Sequence, residues 1–360
     1  MVKIESPFHG AVLNYRHGKQ TTNGLTIEVT GEAPLWDRVT INGVEAKRTG
    51  LRFSAETTLT QKENEILAVS QGPQGEKQHS VRVIWDRHSR PRYQFSMDDN
   101  SFFLRDLAQK RYSSVFDCHY LKILKDLHKK YGTKFVLNCY YTTGPDFSLP
   151  QMPDTYKGEW RDNADWLRLS FHAYSDKPDR IYHYASAEKV ASDYDLVASE
   201  IVRFAGEETW TTPTVIHWAM MQRDVLPALA ERGVKVLTTL PTPMGFHYEL
   251  DYAMDNLRAE YLSRHDAIMD FEIGIIFTRV DIVCNLVPIP NIIPTLQPLA
   301  DDPNNAEIMD LYTHEQYFWD FYEAHLPDHA ERLDATIRFV TDKGYEPVFF
   351  HEGLLGVEEP

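Results

Sequence analysis

Four places in the chain put carboxylates or imidazoles directly behind short apolar runs. Asp98 and Asp99 end "YQFSMDD", His172 follows "WLRLSF" with Asp176 four residues later, His217 follows "TVI", and His314 and Glu315 follow "MDLYT". Carboxylate oxygens and imidazole nitrogens together suit Zn²⁺ or another borderline divalent ion. A carboxylate outside such a shell can take a proton from water, and a histidine on the far side can protonate a leaving group. The chemistry that this set points to is metal-assisted hydrolysis. Neighbours along a strand point in different directions, which predicts that one of the two adjacent carboxylates binds metal while the other stays free. A nearby cation would lower the pKa of both, which predicts an ionised Asp98.

The elements that must position these groups lie in the second part of the chain, residues 88–360. One unit recurs there: an amphipathic helix, a glycine, then a short apolar strand. "LKILKDLHKKYGTKFVLNCYY" shows it with Leu121, Leu124 and Leu127 at helical spacing and Gly132 as the stop. "RDVLPALAERGVKVLTT" and "HAERLDATIRFVTDKGYEPVFF" repeat it, with Gly233 and Gly344. Alternating helices and strands predict a parallel sheet, open or closed, with its chemistry at the C-terminal strand ends. Every group named above is expected there. Residues 243–310 break the rhythm: "FEIGIIFTRVDIVCNLV" reads as one or two strands, and "PIPNIIPTLQPLADDPNN" as a Pro-rich irregular insertion.

Residues 1–87 read as all-β. "GLTIEVTG" alternates, Asn42-Gly43 is a strong hairpin signal, and short strands follow at close spacing. A small sandwich is expected, joined by the polar linker "DRHSRPR" at 86–92. Its histidines, His9, His17 and His79, are scattered. The module is therefore expected to be non-catalytic, positioning substrate or forming a homo-oligomer interface.

The chain has 360 residues, 42% hydrophobic, which is ample for two cores. With 53 acidic and 37 basic residues its formal charge is −16. That balance speaks against nucleic acid or anionic membranes as partners. No apolar stretch approaches the roughly 20 residues of a membrane span. The opening "MVKIESPFHG" lacks the apolar core of a secretory leader, so the expected location is cytoplasmic, or outside for a trimmed form. Cys118, Cys139 and Cys284, odd in number and widely spaced, argue against a disulfide framework and a Cys-ligated zinc.

In order and spacing the second part resembles the polysaccharide-deacetylase (NodB-homology) family of carbohydrate esterases. "FSMDDN" stands where that family has T-F-D-D-G, "HAYSD" where it has H-[ST]-x-x-H, and "LYTHEQYF" where it has an apolar strand ending in L-x-H. The resemblance implies an α/β fold, a partly open seven-stranded (β/α) barrel. It implies that Asp98 is the catalytic base, Asp99 and His172 are metal ligands and His314 is the general acid. Asp176 replaces the family's second histidine, and His217 stands near its third-motif arginine. The third ligand is then Asp176 or His217; Asp176 lies in polar "YSDKPD", where aspartate is also common in turns. The implied cofactor is a divalent metal, zinc first, with nickel or cobalt on the same donors. The partner is a carbohydrate, with Trp218, His247 and Glu315 as substrate-facing candidates, though large aromatics are more often core. The first part resembles the bacterial Ig-like modules attached to carbohydrate-active enzymes. The expected function is removal of an acyl (acetyl) group from a carbohydrate. The alternative is a catalytically degenerate binding or scaffold protein on the same barrel.

Overall fold

The computed structural model describes residues 1–240 and 251–352. They divide into two compact units, the first holding Met1–Arg90 with Ala267–Glu272 and the second Pro91–Asp266 with residues 273–352.

Two sheets build the first unit. One orders Lys3–Ser6, Gly24–Glu32, Arg52–Leu59 and Lys47–Thr49, with Lys19–Thr21 also paired to Gly24–Glu32. The other orders Val12–Leu13, Gly75–Trp85, Glu63–Gly72, Arg38–Ile41 and Val44–Glu45. Pairing is antiparallel except for Val12–Leu13, which runs parallel to its neighbour. Alternation gives each strand one apolar face. Leu25, Ile27 and Val29 are buried in one sheet, and Val39, Ile41, Ile66, Ala68, Val81 and Val83 in the other. Asn42 and Gly43 take φ of 48° and 83°, which the tight two-residue hairpin between Arg38–Ile41 and Val44–Glu45 requires.

The second unit is built on parallel strands, here β1 (Arg92–Asn100), β2 (Phe135–Tyr140), β3 (Leu167–Ala173), β4 (Val236–Thr239), β5 (Ile275–Arg279), β6 (Ile282–Val283), β7 (Ile308–His314) and β8 (Glu346–Pro347). One sheet has the order β3-β2-β1-β7-β6, with β8 also on β1. β4 and β5 pair parallel to each other. β2 is buried along its whole length, as expected of a parallel strand covered on both faces. The helices that cover this sheet include α1 (Phe102–Lys110), α2 (His119–Tyr131), α3 (Ala187–Ala205) and α4 (His329–Asp342). α2 buries Leu121, Leu124 and Leu127 and stops at Gly132, whose φ of 74° is the left-handed turn that ends the helix.

Further backbone bonds extend the sheet at both ends. Leu169 of β3 donates to Thr209 and accepts from Thr211, at 2.9 and 3.0 Å. Thr238 of β4 donates to Thr214 at 2.6 Å, Val280 donates to Thr239 at 2.9 Å, and Asp281 donates to Asp310 of β7 at 3.0 Å. Inside, one buried carboxyl gathers four strands: Asp310 of β7 accepts from Gln94 of β1 at 2.6 Å, Thr238 of β4 at 2.7 Å and Thr278 of β5 at 3.1 Å. Burial pushes its pKa up to about 7.

Two expectations from sequence need correcting. The Pro-rich stretch is largely a helix, Ile289–Asp301, with Pro294 and Pro298 inside it. Its prolines recur every four residues, so the missing N–H groups fall on one side, while Ile292 and Leu296 bury the other. The residues before His217 form no strand: Pro213 has no N–H to offer a ladder, and His217 opens a 3₁₀ turn. Among the described residues no helix is long and apolar enough to cross a membrane.

Candidate functional site

The end of β1 is distorted where the two carboxylates stand. Met97 pairs with Leu137 and Asn100 with Cys139, so β1 spends one more residue than β2 between these pairs. That extra residue is a β-bulge, and Asp99 sits in it with φ of 59°. Asn100 holds the bulge through its side-chain amide, which donates to the carbonyls of Met97 at 2.5 Å and Asn138 at 3.1 Å. The expected divergence of the two carboxylates is thereby lost. Both approach one nitrogen: His172 Nε2 lies 3.2 Å from Asp99 Oδ1 and 3.7 Å from Asp98 Oδ2.

His172 comes from the end of β3, and His217 from the turn after Ile216. His217 Nδ1 is 3.1 Å from His172 Nε2 and 3.5 Å from Asp99 Oδ1. Among the described residues, Asp99, His172 and His217 form a group whose donor atoms all lie within 4.8 Å of one another. A tetrahedral ion with bonds of roughly 2.0–2.1 Å has ligands about 3.3–3.4 Å apart. The three measured separations bracket that length, so the spacing and chemistry of these donors fit such an ion. Burial lowers the His172 pKa to about 4, which keeps its ring neutral and able to ligate. Asp99 is half-buried, and hydrogen bonds to His172 and His217 outweigh desolvation and hold its pKa well below the usual carboxylate range.

Asp176 is not a member of this group. It lies in the loop after β3, half-buried, near enough to Tyr140 for its charge to disfavour the phenolate. Asp98 is buried beside the group, with Asn138 Nδ2 donating to its Oδ1 at 2.7 Å. Burial lifts its pKa well above the usual value, opposed by hydrogen bonds from Asn138 and Tyr312 and aided by the charge of Asp99. His314 ends β7, in register with Asp98. Its Nδ1 meets Asn285 Oδ1 at 3.0 Å and its Nε2 meets the Tyr312 hydroxyl at 2.8 Å. Burial lowers its pKa.

The substrate-facing candidates part ways. Glu315 does not face a cleft. It is fully buried and accepts from the backbone N–H groups of Ser101, Phe102 and Phe103, at 2.6, 2.9 and 2.5 Å, and from Trp319 Nε1 at 3.1 Å. It does so because the first N–H groups of α1 have no partner within the helix, and Ser101 supplies no side-chain cap. Trp218 is 41% exposed beside His217, with the guanidinium of Arg180 5.4 Å from its ring centre. Trp218 and Ala219 both take left-handed φ, 66° and 49°. His247 lies outside the described residues.

Several contributors have no motif of their own. The Tyr140 hydroxyl of β2 donates to Asp99 Oδ1 and lies 2.9 Å from His217 Nδ1. Gln316 Nε2 donates to Asp99 Oδ2 at 2.8 Å. Asn138, Asn285 and Tyr312 complete the set. The one signal for Asn138 and Tyr140 is polar atoms in an otherwise apolar strand, two residues apart and hence on the same face.

No family model matches this chain, and no curated protein matches it. Among solved structures, an engineered protein is 18% identical over 24% of this chain and 20% of its own, with a TM-score of 0.19. Fibronectin(III)-like modules of Clostridium thermocellum CbhA are 15% identical over 28% of this chain and 57% of theirs, with a TM-score of 0.20. A Bacteroides ovatus GH5 xyloglucanase is 10% identical over 95% of this chain and 100% of its own, with a TM-score of 0.21. The chain thus spans a fifth and rather more than half of the first two. Likenesses this slight carry no argument about fold or function.

Proposed function

We propose that the chain is a metal-dependent hydrolase that removes an acyl group, acetyl first among them, from a carbohydrate. The observation that carries this reading is the convergence of Asp99, His172 and His217 with Asp98 beside them. The scaffold we propose is a partly open (β/α) barrel behind an Ig-like module. Its support is the run of backbone bonds from β3 through 209–214 to β4, β5 and β7, and the sharing of Asp310 by four strands. The carbohydrate rests on the resemblance of "FSMDDN", "HAYSD" and "LYTHEQYF" to the deacetylase motifs.

Asp99, His172 and His217 would hold the ion, zinc first and nickel or cobalt on the same donors. When bound it supplies Lewis acidity at the acyl carbonyl. Asp98 takes a proton from the attacking water; a carboxyl lifted by burial is a stronger base than a solvated one. Asn138 fixes the angle of that carboxylate. As oxygen adds to the acyl carbon and the bond to the sugar nitrogen or oxygen breaks, the leaving group needs a proton. His314 Nε2 delivers it, oriented by Asn285 at the opposite nitrogen. Tyr312 bonds His314 Nε2 and so helps to orient that ring. Tyr140 holds Asp99 and His217 at their mutual spacing.

Elemental analysis of the purified protein, before and after incubation with Zn²⁺, tests the reading together with acetate release from acetylated oligosaccharides. About one ion per chain is expected, lost in Asp99→Ala along with turnover. A protein that takes up no divalent ion overturns it and leaves the carbohydrate-binding scaffold.

A further inference from the structure

A groove of about 530 Å³ lies between α1 and the segment that follows His314. That volume is within the roughly 300–1,000 Å³ typical of small-molecule sites. Three aromatic rings line it. Phe102 and Trp319 meet edge to face with centres 6.2 Å apart, and Phe321 lies 5.2 Å from Phe102 and 5.5 Å from Trp319. Phe321 is 56% exposed, so part of its ring is open to the groove. The guanidinium of Arg105 stands 5.1 Å from the Phe102 ring centre and 5.4 Å from that of Phe321.

Arg105 is the informative residue. This chain carries 53 carboxylates against 37 lysines and arginines, so a cation here has carboxylates to spare. Lys110 in the same groove has taken one, Asp106, at 2.8 Å. Among the described residues, no carboxylate lies within ion-pair distance of Arg105. Its guanidinium stands beside two rings instead. A guanidinium is planar and suited to bidentate recognition of a carboxylate, which a lysine is not. Beside it, the exposed Phe321 ring offers the flat apolar contact that the C–H face of a sugar takes. His119 also lines the groove, with its Nε2 engaged with the Phe318 carbonyl at 3.1 Å.

The groove is joined to the candidate site by short chain and by direct bonds. Phe102 is three residues past Asp99. Trp319 donates to Glu315, which also accepts from the first N–H groups of α1, and Gln316 of the same segment donates to Asp99. A substrate longer than one sugar would have a place to lie.

We propose that this groove binds a carboxylate-bearing sugar, a uronic acid residue of the polymer, with Arg105 on the carboxylate and Phe321 on the ring face. The substrate class rests on the carbohydrate-deacylase reading. The enzyme would then act on an acylated acidic polysaccharide rather than a neutral one.

Calorimetric titration of the full chain with a short oligogalacturonide, and with the same oligomer after reduction of its carboxyls, tests this. The acidic oligomer should bind at least about tenfold tighter, a difference one charge-assisted pair can supply. Arg105→Gln should abolish the difference, Arg105→Lys should retain only part of it, and Phe321→Ala should weaken both ligands. Asp99→Asn should leave groove binding unchanged. Equal binding of the two oligomers, or an undiminished difference in Arg105→Gln, overturns the proposal, as does an absence of binding. A glutamate-rich peptide binding as tightly as the oligogalacturonide overturns the sugar assignment. Groove binding without any metal uptake would sink the hydrolase reading alone. Metal-dependent deacylation with no role for Arg105 would sink the groove alone.

Discussion

Asp98 and His314 stand opposite each other in register on the neighbouring parallel strands β1 and β7, and the Tyr312 hydroxyl lies 2.8 Å from His314 Nε2. A buried carboxyl and a half-buried imidazole thus end neighbouring strands side by side. On the proposed reading, this pair would handle protons apart from the Asp99, His172 and His217 group, although Asp98 and Asp99 are chain neighbours.

Substitutions on the proton side should therefore spare metal. Asp98→Asn keeps the shape and the bond to one neighbour but loses the basicity, and turnover should fall by ~10² or more. Tyr312→Phe should cost about tenfold. In both variants, metal content measured on the purified protein should match the parent. Loss of metal in Asp98→Asn with retention in Asp99→Asn would reverse the assigned roles.

Glu315 should matter for stability more than its place beside His314 suggests. Glu315→Ala leaves three buried backbone N–H groups and the Trp319 indole without their acceptor. A loss of roughly 3–5 kcal/mol in chemical denaturation is expected. Glu315→Gln restores an acceptor on only one side of the carboxamide and should recover part of that. A loss below about 1 kcal/mol in the alanine variant would show that water or the chain itself replaces the cap.

His329 gives a pH dependence beside the site, through Thr313, the chain neighbour of His314. It is buried, with Nε2 at 3.0 Å from the Thr313 hydroxyl, and burial, aided by Arg332, lowers its pKa to about 3. Its folded value lies below its unfolded value, so the unfolded chain binds more protons in between. The contribution to stability is full above pH ~6.5 and is lost as pH falls toward 3. The loss is of order a few kcal/mol. His329→Gln should flatten the stability profile over that window; an unchanged slope would place the titration elsewhere.

Much of the site could be read from residue type and position. Asp98, Asp99, His172 and His314 stand out because charged or titratable groups end apolar strands, and strand ends in a parallel sheet share a face. Tyr140 did not stand out, because a tyrosine in a wholly buried strand has the pattern of core, and only its hydroxyl partners reveal otherwise. Glu315 misled for the opposite reason: a carboxylate after a site histidine reads as cleft-lining, whereas the need of α1 for acceptors draws it inward. His217 was found for the wrong local reason, since the chain before it is extended but not a strand. The convergence of Asp98 and Asp99 on one nitrogen depends on a single extra residue in the pairing of β1 with β2. Periodicity cannot register that.

The bulge at Asp99 also narrows the alphabet allowed at that position. With φ of 59°, a side chain branched at Cβ or bulky near the backbone is disfavoured, and glycine, asparagine and aspartate are the residues that settle there readily. Glycine has no donor atom, and asparagine brings no charge. Of the side chains that ligate metals well, glutamate and cysteine lose what aspartate keeps, an easier fit to this backbone, which histidine shares. The backbone therefore restricts which side chains position 99 accepts, independently of any ion. Glutamate at 99, the ordinary chemical stand-in for aspartate, would be rejected by the chain's own torsion and not by coordination chemistry.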